Sequence, residues 1–368
     1  MGEPGLRVLH VFGRLLRGGA ELRTVELAES FADGTVRSDF VVLSGLDGTL
    51  DERVRAAGGA VIKCPLDVRF PMSFWRLLRR GRYHVVHSHV HYFSGVILAL
   101  AGAAGVPGRI AHFRTAVADD RDGTPLRRAQ LAVCRFLIQL HATDIIAVGE
   151  GAMTGAWAPD WQGDSRCRVI YNGIPVARIR SGQHRSPGPP AIVSVASIQP
   201  LKNQLRLIPI LARAAKQIPD LILLLVGREC GDYGQHLRRA AAEGVADRVR
   251  FAGEVDDAMP LISAASLLVL PSRWEGLPGA VLEACASGTP VLATDLPGTR
   301  ELRRYFPQIA LLPLEEDDDT WAEAAVRLIR DGREAARRAA ERFAETPFTL
   351  ARARQEHYDI WSRRRAYS

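Results

Sequence analysis

The chain predicts an α/β fold, built as two domains that each carry a parallel sheet wrapped by helices. Three observations predict it. At 368 residues the chain is too long for one compact core. Short apolar runs alternate with helical patterns across short connections, as parallel strands with crossover helices require. The alternation also stops once and restarts, around "IPVARIRSGQHRSPGPP" (174–190), which is rich in Pro, Gly, Ser and Arg and has no clean period. The expected domains are 1–175 and 191–349, with 176–190 as linker.

In the first domain "LRVLHVF" (6–12) is a short apolar run ending in glycine, as a buried strand would be. A glycine loop follows, then a helix with Leu22, Val25, Leu27 and Phe31 as its apolar positions. "DFVVLSG" (39–45), "AVIKCP", "HVVHSHV", "GRIAHFR", "DIIAVG" and "CRVIYNG" read as further strands. "ERVRAAGG", "SFWRLLRRGRY", "SGVILALAGAAGV" and "LRRAQLAVCRFLIQLHA" read as the helices between them. In the second domain "AIVSVAS", "LILLLVG", "VRFAGEV", "LLVLPS" and "PVLATD" are strands. "QLRLIPILARAAKQ", "YGQHLRRAAAEG", "AMPLISAA" and "GAVLEACASG" are helices. After residue 320 three helices are expected: "TWAEAAVRLIRDG", "REAARRAAERFAE" and "TLARARQEHYDIWSRRR". Two such Rossmann-like domains are expected to face each other across a cleft at the carboxyl ends of their strands, where ligands bind.

Composition narrows the class. The hydrophobic fraction, 47%, is that of a globular protein. No run reaches the roughly 18–20 apolar residues of a membrane span, and "MGEPGLRVLHVF" lacks a signal-peptide pattern. Five scattered cysteines without C-x-x-C spacing argue for a reducing cytoplasm and against a zinc site. The net charge of +7 admits anionic partners. No basic stretch interleaved with aromatics sits on an expected binding face, so a nucleic-acid partner is not expected. Only three lysines occur, Lys63, Lys202 and Lys216, against 45 arginines, so each lysine is of interest.

"LLVLPSRWEGLPGAVLEACASGTPVLATD" places Glu275 and Glu283 eight positions apart. Gly276, Pro278 and Gly279 keep the helix from reaching Glu275, so Glu275 belongs to a strand-to-helix loop. Glu283 falls about one turn into the helix. Amides of the loop and helix start can take an anion, and a first-turn carboxylate can accept from vicinal hydroxyls. Spacing alone leaves this reading open beside a bland one, in which Glu283 complements the helix dipole and Glu275 is solvated.

The stretch resembles the E-x7-E donor signature of the GT-B retaining glycosyltransferases, group 1, classed as family four. "GGAELRTVELA", "YHVVHSHV", "VIYNGI", "VASIQPLKNQ", "LLLVGRE" and "VRFAGEV" resemble further family motifs in the same order, across nearly the whole chain. The resemblance implies a transferase using a nucleotide-diphosphate sugar, UDP- or GDP-linked, as co-substrate, with no cofactor and no metal. Glu275 would sit beside the transferred sugar and Glu283 would hold the ribose hydroxyls. The backbone of Gly276, Leu277, Pro278 and Gly279, with N–H donors from all but the proline, would embrace the sugar and diphosphate, Lys202 would contact the diphosphate, and Gly253 would lie on the donor side. Gly18, Gly19 and Glu21 would form a loop approaching the diphosphate and acceptor, and His89 would line the acceptor pocket. The last helix, within 350–368, would pack back on the first domain.

The chain departs from the family twice. The usual arginine five residues before the lysine is Ser197, which offers a hydroxyl without charge; Arg228 is a candidate to replace it. The histidine that many relatives carry near the sugar aligns with Arg114, and His112 lies two residues before it. Both are expected to face the cleft, since i and i+2 share a strand face. His87, His89 and His91 invite a metal reading that the family does not support. Asp120-Arg121-Asp122 spells D-x-D but reads as an acceptor-side loop. "EEDDD" (315–319) reads as a helix start.

"RFPMSFWRLLRRGRYH" (69–84) mixes aromatics with arginines. It reads either as a sheet-packed helix or as a contact with an anionic membrane. The acceptor is expected to be a glycan or lipid-linked, and the site of action the cytoplasm, at the inner face of the cell membrane. Competing readings are a catalytically impaired sugar-nucleotide-binding protein of the same fold, another GT-B enzyme such as a phosphorylase or epimerase, and, on charge alone, a nucleic-acid binder.

Overall fold

The computed structural model describes residues 5–115, 124–176 and 188–364. It divides into two compact units, Met1–Gly173 with Leu350–Ser368, and Ile174–Thr349. Most of the stretch read as a linker, and the D-x-D sequence at 120–122, lie outside the described residues.

The first unit holds the strands β1 (Leu6–Phe12), β2 (Val36–Val42), β3 (Val61–Lys63), β4 (Val85–Ser88), β5 (Gly108–Phe113), β6 (Asp144–Ala147) and β7 (Cys167–Val169). They form one parallel sheet in the order β3-β2-β1-β4-β5-β6-β7. The second unit holds β8 (Ala191–Val195), β9 (Ile222–Val226), β10 (Val249–Gly253), β11 (Leu267–Leu270), β12 (Val291–Thr294) and β13 (Ala310–Leu312). Its order is β10-β9-β8-β11-β12-β13, again parallel. Each order reverses direction once, between β1 and β4 and between β8 and β11. Parallel α/β sheets bind ligands at such reversals, outside the carboxyl ends of the strands.

Both faces of each sheet are buried. On the first sheet, one apolar cluster joins Phe12, Leu15, Val25 and Phe40. Another joins Leu6, Val8, Val85 and Ile110 to Ile360 and Trp361 of the final helix, Leu350–Ser362. Burying Ile360 alone contributes about 1.5–3 kcal/mol, and that helix is part of the first unit.

Several elements differ from the sequence reading. β2 starts at Val36 rather than near Asp39, because buried Asp39 is satisfied inside the strand. Its carboxylate accepts from Tyr83 Oη at 3.0 Å, Arg7 Nη2 at 3.2 Å and the Ala60 amide at 2.9 Å. The helix Glu150–Ala156, the helix Pro297–Tyr305 and β13 were not anticipated. The two helices expected on either side of Gly332 are one helix, Asp318–Glu341. A glycine inside a helix costs only about 1 kcal/mol, and here it allows close packing, since a Cβ would lie 3.3 Å from Pro290. "EEDDD" does start that helix: Asp317 caps it, accepting from the Thr320 amide at 2.7 Å.

The helix Phe70–Gly81 packs one face of 69–84 into the first unit and leaves Arg76, Arg79 and Arg80 exposed on the other. Phe70, Phe74 and Leu78 are buried. Two of the three aromatics that suggested a membrane contact therefore face inward, leaving Trp75 part-exposed with its indole N–H on the Ala103 carbonyl.

Candidate active site

In the second unit the site is built where β8 and β11, neighbours in the sheet, both end. The chain leaving β8 passes Ser197 and makes a turn at Pro200–Lys202, closed by Asn203 in the left-handed region (φ 55°). Asn203 Nδ2 donates to the Pro271 carbonyl at 3.1 Å, and the Arg273 amide donates to the Leu201 carbonyl at 2.9 Å. These bonds stitch the β8 loop to the β11 loop and set the Lys202 side chain beside Glu275. Lys202 Nζ donates to Glu275 Oε1 at 2.8 Å, and Ser272 Oγ donates to the same oxygen at 2.7 Å. Both charged side chains are largely withdrawn from solvent, at 19% and 11% exposure, where an ion pair is screened less than on the surface.

Glu275 lies in the loop, as its neighbours required. The helix Gly279–Ser287 begins after Pro278 at its N-cap, and Glu283 is buried on it. The first amides of a helix have no intrahelical acceptor and offer donors to an anion. Gly276, Leu277 and Pro278 are buried. The Gly276 carbonyl approaches Gly298 so closely that a Cβ there would lie 1.7 Å away. Gly298, which sequence reading did not single out, therefore fixes this loop from behind, and the "DLPG" turn was its only signal.

Ser197 holds no charge and its hydroxyl is engaged, accepting from Gln199 Nε2 at 2.7 Å. Arg228 stands next to it in space: the Ile198 amide donates to the Arg228 carbonyl at 2.8 Å. Its side chain is exposed and, among the described residues, makes no hydrogen bond or ion pair. Gly227 allows this approach, with φ 145° and a would-be Cβ 2.0 Å from the Ala196 carbonyl. Gly253 ends β10 at φ 68°, and its carbonyl accepts from the Gly227 amide at 2.8 Å.

In the first unit the corresponding reversal lies between β1 and β4. Gly18 precedes the helix Gly19–Glu29 in extended conformation, and a Cβ on it would meet Glu21 Oε2 at 2.4 Å. This glycine serves close approach by a carboxylate rather than a positive φ, while Gly19 has open space. Arg114 is partly exposed just beyond β5. Its guanidinium donates to Asn172 Oδ1 at 2.6 Å, Thr24 Oγ1 at 2.7 Å and His89 Nδ1 at 3.3 Å. These acceptors are neutral. Burial lowers its pKa to about 9, with Glu21 pulling the other way.

His112 is not beside Arg114 in environment, which corrects the expectation that both face an open site. β5 ends at Phe113, so Arg114 leaves the sheet while His112 stays under the final helix, 1% exposed. Its Nδ1 shares a hydrogen bond of 3.0 Å with His87 Nε2, and its ring lies 5.9 Å from that of His357. His10 joins the group through His89, Nδ1 to Nε2 at 3.2 Å. Burial, the leading cause, holds His10, His87, His89 and His112 well below the usual imidazole range and His357 at about 4. Arg114 donates to His89 Nδ1, so neutral His89 carries its proton on Nε2 and donates to His10. His357 Nδ1 faces the Ala353 carbonyl and must carry its proton there.

The triplet His87, His89, His91 does not form a metal face, because β4 ends at Ser88 and His91 turns away at φ 51°. Two other triplets, His10-His87-His89 and His87-His112-His357, do bring ring nitrogens within 4.8 Å of one another. They fit a dication poorly. The mutual His87–His112 hydrogen bond leaves one remaining lone pair between the two rings. Among the described residues no carboxylate joins either triplet, and the Arg114 guanidinium on His89 sets a positive charge at the cluster that would repel a dication.

Two parallel sheets, with an ion pair and a helix start at the reversal of the second, define an α/β protein with a candidate anion-binding site. Two family models match the chain. Residues 17–178 match the model described as Glycosyltransferase Family 4, and residues 189–331 match the one described as Glycosyl transferases group 1. The chain belongs to the group 1 glycosyltransferases of GT-B fold. It is 29% identical to the capsular polysaccharide biosynthesis glycosyltransferase CapH of Staphylococcus aureus, over 88% of this chain and 91% of that one. It is 28% identical to a D-inositol 3-phosphate glycosyltransferase of Streptomyces scabiei, over 79% and 74%. Anabaena HepE, solved with UDP and glucose, superposes with a TM-score of 0.79 at 19% identity, over 97% of this chain and 99% of that one.

Proposed function

We propose that this glycosyltransferase moves a hexose-type sugar from a UDP- or GDP-linked donor to a hydroxyl of a glycan or lipid-linked acceptor. The transfer proceeds with retention and without a metal, in polysaccharide or glycoconjugate biosynthesis in the cytoplasm. The observation that carries this reading is the 2.8 Å contact of Lys202 with Glu275 at the β8/β11 reversal, beside the start of the Glu283 helix. CapH's role in capsular polysaccharide and HepE's binding of UDP and glucose are consistent with it.

In this reading the Lys202 ammonium and the helix-start amides stabilise the charge that gathers on the leaving diphosphate as the glycosidic bond breaks. Glu283 accepts hydrogen bonds from the ribose hydroxyls, and Glu275, held by Lys202 and Ser272, stabilises positive charge on the sugar. The leaving phosphate oxygen takes the acceptor proton on the same face. The new glycosidic bond forms there while the nucleoside diphosphate departs. Arg114, held on His89, is the candidate counterpart of the histidine that relatives carry at this position.

Thermal shift with UDP, GDP, ADP and their sugars tests the donor assignment, since a ligand that binds only the folded state raises the melting temperature by mass action. Stabilisation by UDP or GDP and their sugars is expected; stabilisation by none of them overturns the reading. Donor binding with no transfer to any acceptor would favour the impaired-enzyme reading, whose motive is the uncharged, already engaged Ser197.

A further inference from the structure

The helix Pro125–His141 is amphipathic the wrong way round for a helix of an α/β sheet. Its inner face rests on Cys134 and Ile138. The opposite face presents Leu126, Val133, Phe136 and Leu140, exposed by 80%, 58%, 63% and 63%. Ala129 is exposed among them, and the spacing 126, 129, 133, 136, 140 is that of a single helical stripe. Exposed apolar side chains are ordinary when scattered, but a contiguous stripe of four large ones is not.

Charge identifies what covers it. The helix carries Arg127, Arg128 and Arg135 and no acidic residue. It packs on the helix Ser94–Ala103, which is uncharged, and that helix in turn packs on Phe70–Gly81. Phe70–Gly81 adds Arg76, Arg79 and Arg80, again with no acidic residue, and exposes Met72 by 52%. Two helices, with the uncharged Ser94–Ala103 packed between them, thus present exposed apolar side chains among six arginines and no carboxylate of their own. A second protein surface of ordinary composition would bring carboxylates in mixture with lysines. A bilayer of anionic phospholipid supplies a uniformly negative headgroup layer over an apolar interior.

We propose that the helix Pro125–His141 is a membrane-docking surface, which inserts the Leu126–Leu140 stripe below the headgroups of an anionic bilayer with its arginines at the phosphate level. No described helix is long and apolar enough to cross a membrane, so the attachment is peripheral and reversible. The inference stands on this surface alone and does not depend on the sugar-transfer reading.

Flotation of the full chain with vesicles of mixed phosphatidylglycerol and phosphatidylcholine, and with phosphatidylcholine alone, tests it. Wild type should float with the anionic vesicles and much less with the neutral ones. Phe136→Ser with Leu140→Ser should reduce partition by about tenfold or more, from the apolar area withdrawn. Arg127→Glu with Arg128→Glu should reduce it on anionic vesicles only. Both positions of each pair are exposed, so melting temperature and transfer to a soluble acceptor should stay as in wild type. Equal partition of wild type and the Phe136/Leu140 variant overturns the proposal. So does a wild-type chain that ignores anionic vesicles but dimerises through this face, shown by the same pair of substitutions making it monomeric.

Discussion

Lys202 and Glu275, 73 residues apart in sequence, share a hydrogen-bonded ion pair of 2.8 Å at the carboxyl ends of two neighbouring strands. The contact is asymmetric. Glu275 Oε1 takes both the ammonium and the Ser272 hydroxyl, whereas Oε2 has no hydrogen-bond partner among the described residues. One oxygen is thus spent on position and the other is left for a ligand.

Removing the ammonium should therefore harm chemistry more than folding. Lys202→Ala is expected to lower kcat by about 100-fold or more, the usual cost of deleting one preorganised donor to a developing anion. Combined with Glu275→Gln, the loss should be far smaller than the product of the single losses, because the two side chains act as a unit. Steady-state kinetics on the two single variants and the double variant measure this, and fully multiplicative losses would contradict the pairing.

The proposed role of Glu283 is donor binding rather than turnover. Its carboxylate lies on a helix behind the loop rather than in it, so Glu283→Ala should weaken donor binding by about 10–100-fold through lost charge-assisted hydrogen bonds, with little effect on kcat. Titration calorimetry with the nucleoside diphosphate separates the two effects. An unchanged affinity would show that Glu283 serves the helix and not the ligand.

Much of this site was legible in sequence for a local reason. Pro278 cannot continue a helix and Gly276 disfavours one, so the loop position of Glu275 and a helix start near Gly279 followed from residue chemistry. The stitching of the β8 and β11 loops by Asn203 and Arg273 did not, because it joins segments about 70 residues apart and ends on backbone carbonyls, which every residue carries. The same limit explains His112. Alternation along β5 puts it on one face with Arg114, but strand length decides whether the partner is still in the sheet, and β5 ends one residue short. The exposure of Pro125–His141 was also illegible, since a helix with apolar residues on two faces reads as buried until its neighbours are known.

Gly298 should be intolerant of any side chain. A Cβ would lie 1.7 Å from the Gly276 carbonyl, a backbone atom that moves only with the donor loop. Gly298→Ala is expected to destabilise the chain by about 1–3 kcal/mol, or to weaken nucleotide binding by displacing the loop. Urea unfolding together with nucleotide titration checks both, and a variant equal to wild type in each would show that the approach is looser than stated.

The histidine cluster makes the first unit acid-sensitive. His357 has its folded pKa lowered to about 4, and His10, His87, His89 and His112 are lowered too, all chiefly by burial. The unfolded chain therefore binds protons below about 6.5 that the folded chain refuses. Stability is fully present above that pH and is lost as pH falls toward 4, by about 1.4 kcal/mol per histidine per pH unit. Urea midpoints should be flat above neutrality and fall steeply below about 6.5. His357→Gln should fall less steeply, by the share of one proton; an equal slope would remove His357 from the linkage.

Arg228 is the expected substitute for the charge that Ser197 lacks. The two are neighbours through the Ile198 amide on the Arg228 carbonyl, and the arginine side chain is exposed and makes no bond or ion pair among the described residues, so it is available to a diphosphate. Ser197 itself is engaged by Gln199. Arg228→Ala should then weaken nucleoside-diphosphate binding by about tenfold or more, the scale of one charge-assisted hydrogen bond, while leaving the melting temperature of the free chain unchanged. Ser197→Ala should matter little. The decisive variant is Ser197→Arg in the Arg228→Ala background. If the missing element is a guanidinium at the β8 end, the relocated arginine restores most of the affinity; if Arg228 acts elsewhere or not at all, the double variant binds no better than the single one.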